Sequence, residues 1–291
     1  MNTPQRLALV TGARMAKPDP ESHLLVDALA ALGVEAVMLP WDSDTDWASF
    51  PLVVVRTPWD YFERLDEFLD WARRVDALTQ LTNPYVVIAW NSHKRYLQQL
   101  TEAGLATVPT VWLGKNSRDF QARLNKKASL HGWDEVVVKP AVSIGAIGAL
   151  RTHVSATECS SHISALLQDG DVLVQPFLPS IATAGEVSLI FFGGEFSHAI
   201  RKVPQAGDYR VQDMYGGSVH PHTASPEEIA VARAVLEVTP APTSYARIDL
   251  VHHNDRPVVM EAELIEPELF LGATPEAPQR LAKTLLALLP A

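Results

Sequence analysis

One cysteine in 291 residues, Cys159, leaves no internal disulfide and no thiolate metal site, so any metal must sit on oxygens and a reducing compartment fits the chain. Positive charge is also short. Lys and Arg number 24 against 34 Asp and Glu, a formal net charge of -10, which argues against the clustered basic surface that nucleic-acid binding demands. No apolar run approaches the roughly 20 residues of a membrane span, and no charged segment followed by an apolar stretch opens the chain. Glycine is sparse where a dinucleotide fold needs it. Leu9-Val-Thr-Gly-Ala-Arg resembles the start of a short-chain dehydrogenase, yet no glycine follows Gly12 before Gly33 and no Tyr-x-x-x-Lys occurs. What remains is a soluble, cytoplasmic protein, 47% hydrophobic, whose expected partners are small molecules.

The opening reads as β-α-β: a strand over 7–11, a helix over 21–32 stopped by Gly33, and a strand over 34–39. Leu52 to Val55 is a further apolar strand, and a helix over 63–77 carries Leu65, Phe68, Leu69 and Ala72 on one face. Together these predict a small parallel-sheet domain over residues 1–88. A helix from Ser92, read as its N-cap, to Ala103 opens a second unit, 89–178, with strands at 108–113, 136–139, 149–152 and 172–175 and helices at 118–127 and 157–168. Cys159, in the last of these helices, reads as an unremarkable thiol. The third unit, 179–291, holds a hairpin around Gly193-Gly194 and another joining 245–251 to 257–264.

That last hairpin carries the chemistry. Side chains alternate along a strand, so Arg247 and Asp249 share a face while Ile248 and Leu250 take the other, and Glu261 and Glu263 oppose Met260, Ala262 and Leu264. With the turn centred on Asp255, Asp249 pairs with Glu261 and Arg247 with Glu263. Opposed acids about 5 Å apart destabilise a sheet unless a cation lies between them, and magnesium suits such carboxylates. A solvated polar face neutralised by Arg247 is the alternative.

Other chemistry-bearing residues follow an order: Lys94, Lys139 with Ser143-Ile-Gly-Ala-Ile-Gly, Gln175-Pro-Phe-Leu, Glu186, Lys202, Gly207-Asp-Tyr-Arg, then the acidic hairpin. In that order, over about residues 83–272, the chain resembles the ATP-grasp superfamily. It is similar to carboxylate-amine ligases of the glutathione synthetase and ribosomal-protein-S6 modification kind. Arg56-Thr-Pro-Trp, Ser197-His-Ala-Ile and Glu263-Leu-Ile-Glu-Pro add likeness to the cyclo-ligase of cycloserine biosynthesis. The resemblance implies an α/β and α+β ATP-grasp fold behind a parallel-sheet N-terminal domain, with ATP and Mg2+ as cofactors.

Residue by residue, the resemblance implies that Lys94 and Lys139 meet ATP phosphates, under a loop containing Ser143, Gly145 and Gly148. Gln175 and Leu178 border the adenine, and Glu186 holds the ribose. Lys202, Arg210 and Arg247 neutralise the transferred phosphoryl group or the substrate carboxylate, and Asp249, Glu261 and Glu263 hold the metal. Two departures stand out: Glu263 replaces the usual Asn, and Gln175 the usual Glu. In the N-terminal domain Arg56, Trp59, Asp60 and Tyr61, at the carboxyl end of a strand, are placed to read a small amino-acid-like molecule, unless Pro58 and Trp59 simply pack the domain joint. His198 falls on the face of Lys202. The implied activity is phosphorylation of a carboxylate to an acylphosphate, then attack by an amine or other nitrogen, within or between molecules. A kinase, a non-catalytic nucleotide binder and a homodimer remain open.

Overall fold

The computed structural model describes residues 5–13 and 21–290, and three sheets organise them. The first unit alternates β1 (Gln5–Thr11), α1 (Ser22–Ala30), β2 (Val34–Pro40), β3 (Leu52–Thr57), α2 (Leu65–Leu78) and β4 (Gln80–Thr82). Its sheet has the order β2-β1-β3-β4 with every pairing parallel. All six residues of β3, Leu-Val-Val-Val-Arg-Thr, are buried, as a strand covered on both faces requires. Phe68, Trp71, Ala72 and Val75, at helical spacing, press α2 onto Val53 and Val55.

Two short helices, α3 (Tyr85–Asn91) and α4 (Tyr96–Glu102), replace the single helix expected from Ser92. Ser92 ends α3 instead of starting a helix: its N–H donates to Ile88 and its hydroxyl to the Ala89 carbonyl. Lys94 therefore sits in a tight connection, and its N–H donates to the Ala141 carbonyl in the next unit.

The second sheet, β5-β8-β6-β7, is antiparallel and assembled from β5 (Val111–Leu113), α5 (Phe120–His131), β6 (Glu135–Pro140), β7 (Leu150–His153), α6 (Thr157–Asp169) and β8 (Val172–Pro176). The first strand is shorter than expected, because Val108 pairs with Val259 of the third unit instead. Cys159 is fully buried in the core under this sheet.

After α7 (Ser180–Ala184) come β9 (Glu186–Phe192), β10 (Glu195–Val203), β11 (Ser218–His222), α8 (Pro226–Val238), β12 (Tyr245–His253), β13 (Arg256–Glu263) and α9 (Ala277–Leu286). The strands form an antiparallel sheet of order β11-β10-β9-β12-β13. Helix α8 starts in a reciprocal cap between Ser225 and Glu228, with Pro226 in its first turn. The 88/89 boundary expected from sequence falls inside α3, and α9 returns across the molecule to pack on α1 through Leu281, Ala282 and Leu285. No helix among the described residues is long and apolar enough to cross a membrane.

The β12–β13 register matches the expected pairs at Arg247–Glu263 and Asp249–Glu261, by a different route. The turn is two residues, Asn254 and Asp255, both with positive φ, and it sets Leu250 opposite Val259. A bulge at Met260 then shifts the ladder by one. Met260 consequently leaves the Ala262 and Leu264 face assigned to it from alternation, and packs against the cluster of Leu178, Val211 and Val258, while Val259 takes the core position.

Candidate active site

Strand pairing places Glu186 and Ser188, Lys202, Arg247 and Asp249, and Glu261 and Glu263 on one face of the large sheet. The far half of that face, Ile190, Phe192, Ile200 and Tyr245, is apolar core beneath the N-terminal unit. Lys202 Nζ lies 2.5 Å from Glu186 Oε1 and 3.1 Å from Asp249 Oδ2. The Arg247 guanidinium donates to Asp249 at 3.0 Å and to Glu263, and the Ser188 hydroxyl donates to Asp249 Oδ1. Gly185 brings Glu186 to Lys202: its φ is +80°, and a Cβ there would stand 2.4 Å from the Lys202 carbonyl, so only glycine allows the approach.

Charge follows from this wiring. Burial opposes ionisation of Asp249, but Arg247 and Lys202 overcome it and hold the carboxyl well below its usual range. Burial raises Glu263 to about 7 against the pull of Arg247, with Asp249 and Glu261 adding to the rise. Burial, then Glu263, pushes Glu266 up to about 8.

Lys94 Nζ is 2.6 Å from Glu261 Oε1 and donates to the Ser143 carbonyl at 3.0 Å, so one ammonium ties the acidic hairpin to the 143–148 loop. The loop is folded down: Ile144 packs against the core containing Tyr61 and Ile265, and Gly145 lies against Met214. The Lys139 ammonium has no hydrogen-bond or ion-pair partner among the described residues, and burial lowers it below the usual lysine value. A desolvated cation of this kind is suited to an anion arriving from outside the protein.

At the seam between the second and third units, Gln175 is buried and donates to Thr110 Oγ1 at 3.0 Å, and Leu178 is buried beside Val108, Val211, Val258 and Met260. Met260 is the residue that sequence reasoning misplaced; only the bulge puts it on this side. Arg210 is not brought to the carboxylates. Its guanidinium is held by Asp208 at 2.7 and 3.0 Å and lies 3.7 Å from the Tyr215 ring, inside the loop that joins β10 to β11.

The N-terminal residues divide. Arg56 is buried, donates to the Pro267 carbonyl at 3.3 Å, and leaves Nη1 without a partner. Trp59 Nε1 donates to the Glu266 carbonyl at 3.1 Å, and the Tyr61 hydroxyl bonds the Glu266 carboxyl. Asp60 turns away: it accepts from Trp41 at 3.0 Å and packs on Gly12, a role internal to the first unit. His198 lies on the Lys202 face, but its Nε2–H donates to the Leu269 carbonyl at 3.0 Å beside Phe192, so the imidazole anchors the segment after β13.

Every candidate metal donor is a hard carboxylate oxygen, so the residues fit magnesium. They do not form a cage by themselves. Among the described residues no three His, Cys, Asp or Glu converge to hold an ion, and Asp249, Glu261 and Glu263 each engage a cationic side chain. This suits an ion that takes most of its ligands from phosphate and water.

Residues 108–252 match the family model of the prokaryotic glutathione synthetase ATP-grasp domain, and residues 7–83 that of the D-cycloserine synthetase DcsG N-terminal domain. The chain belongs to the ATP-grasp ligases, enzymes that set this nucleotide-binding fold behind a parallel-sheet N-terminal domain. It is similar to the cycloserine biosynthesis protein DcsG of Streptomyces lavendulae, at 34% identity over 96% of this chain and 97% of that protein. The crystal structure of D-cycloserine synthetase DcsG superposes with a TM-score of 0.88 at 32% identity, covering 97% and 99% of the two chains. The D-alanine–D-alanine ligase of Bacillus anthracis, with a TM-score of 0.66 and 14% identity, shares the fold.

Proposed function

We propose that this enzyme uses magnesium-ATP to convert the carboxylate of a small amino acid into an acylphosphate, which a nitrogen of the same molecule then attacks to close a ring. The observation that carries the reading is the Lys94, Lys202 and Arg247 network around Glu186, Asp249, Glu261 and Glu263, with the Lys139 ammonium beside it and without a side-chain partner among the described residues. A carboxylate is a poor electrophile, and phosphoryl transfer is catalysed mainly by positioning and by cations that meet developing charge. Lys139 and Lys94 would hold the phosphates beneath the 143–148 loop, Gln175, Leu178 and Met260 the adenine, and Glu186 the ribose. Arg247 and Lys202 would steady the carboxylate as it accepts the γ-phosphoryl group. Magnesium, when bound at Asp249, Glu261 and Glu263, supplies further neutralisation of the phosphate oxygens. Phosphate leaves as the nitrogen bonds to carbon, and the nitrogen loses its proton.

Likeness to the cycloserine relatives over nearly the whole chain, N-terminal unit included, supports the ring-closing form over condensation of two molecules. Arg56 and Trp59 would then face the substrate, in the cytoplasm. The test is ADP release with magnesium-ATP against amino acids bearing side-chain amide, carbamoyl or ureido groups, with mass spectrometry of the products. A product lacking the elements of water is expected with cyclisation. One heavier by a phosphoryl group makes the enzyme a kinase and overturns the ligase reading.

A further inference from the structure

We propose that Glu266 binds the α-ammonium group of the substrate, making the enzyme selective for molecules that carry a free amine beside the reacting carboxylate. This rests on the ligase reading above and specifies the substrate class of the same site. Glu266 lies just past the end of β13, only 9% exposed, and forms no ion pair within 4 Å among the described residues. Its neighbours differ in this respect. Glu261 has Lys94, Asp249 has Lys202 and Arg247, and Glu263 has Arg247.

The segment around it is held rigidly from the N-terminal unit. Trp59 holds the Glu266 carbonyl, Arg56 the Pro267 carbonyl, and the Tyr61 hydroxyl the Glu266 carboxyl. Arg56 adds an independent sign of a ligand. It is 2% exposed, its Nη1 has no partner, and no ion pair joins it to Glu266 although both stand against the same stretch of backbone. A buried donor and a buried acid that leave each other unpaired would each be costly alone. A ligand with an ammonium for Glu266 and an oxygen for Arg56 satisfies both. An amino acid with a carbonyl-bearing side chain has those groups, with its carboxylate left to face Arg247 and Lys202.

The test compares O-carbamoylserine, in both configurations, with 3-(carbamoyloxy)propanoate, its counterpart without the amine, by ADP release with wild type and Glu266→Gln. Wild type is expected to turn over one O-carbamoylserine configuration and to reject the amine-free compound. Glu266→Gln should lower kcat/KM for O-carbamoylserine by roughly 10- to 100-fold, leave the KM for ATP and the magnesium dependence unchanged, and erase the preference for the amine. Glu266→Asp should restore part of it. Equal wild-type use of both compounds, or a Glu266→Gln variant that shifts only the magnesium dependence, would overturn the amine assignment and leave the ligase reading standing. ADP release that yields a product heavier by one phosphoryl group, with no loss of the elements of water, would remove the ligase reading and the inference together.

Discussion

At the scale of the residue, the site is a set of buried charges whose values are fixed by their neighbours. Glu261→Gln would leave Lys94 without its anion and, on the proposed reading, remove a magnesium donor. ADP release should fall by roughly 10²- to 10³-fold and magnesium-nucleotide affinity should drop, with circular dichroism unchanged. Normal turnover would remove Glu261 from the metal site. The raised acids predict a pH effect. Glu21 and Glu263 are lifted by burial to about 7 and Glu266 to about 8, from an ordinary 4.5, so the folded chain keeps protons that the unfolded chain has lost. Such groups stabilise fully below the unfolded value, and that contribution is lost as pH rises through the folded values. His93 and His198, whose values burial lowers, are already neutral above 6.5. The Tm of the ligand-free protein should therefore fall between pH 6.5 and 8.5, and magnesium-ATP should raise Tm more at 8.5 than at 6.5. A flat profile would show that the three acids stay ionised.

At the scale of the element, the β12–β13 hairpin shows what alternation reveals and what it hides. Arg247, Asp249, Glu261 and Glu263 were legible as one face because period-two patterning survives wherever the ladder is regular. The bulge was not legible, since nothing local in Val-Val-Met-Glu marks an extra residue, and Met260 was assigned to the wrong side in consequence. If the adenine sits where proposed, Met260→Ala should raise the KM for ATP about tenfold with little change in kcat, through lost apolar contact with the base. An unchanged KM would move the adenine elsewhere. Lys94 was placed on a helix that the fold does not contain there, because Ser92 is equally at home capping either end. Arg210 was carried over from likeness alone, and pairing with Asp208 two residues away is a local outcome that likeness does not reveal. The hairpin turn gives a further prediction. Asp255 holds φ of +61°, a conformation that costs a non-glycine residue about 1 kcal/mol. Asp255→Gly should stabilise the protein by up to about that amount in urea titrations, with activity retained.

At the scale of the whole molecule, the first and last elements in the chain depend on each other. Leu281 and Leu285 of α9 are fully buried against Leu25 and Leu29 of α1, in one core that also takes in Ile190 and Tyr245 of the large sheet. Leu281→Ala should cost about 2–5 kcal/mol, seen as a lower urea midpoint, and should weaken substrate use by loosening the unit that holds Arg56. A stability change well below that range would mean that α9 docks only superficially. This closure was outside what the sequence revealed, because an amphipathic helix announces a buried stripe without naming the surface that receives it. The strand patterns of the three sheets were legible in their order along the chain, since each sheet is built largely from consecutive strands.

The lone thiol has a practical use. Cys159 is sealed in the core of the middle sheet, with no exposed surface. A maleimide dye should therefore find no native target, and the wild-type enzyme needs no thiol removed before labelling. Cysteines introduced at Ile147 and Met214, both exposed, would carry probes on the two segments that meet where Gly145 lies against Met214, with no competing label elsewhere.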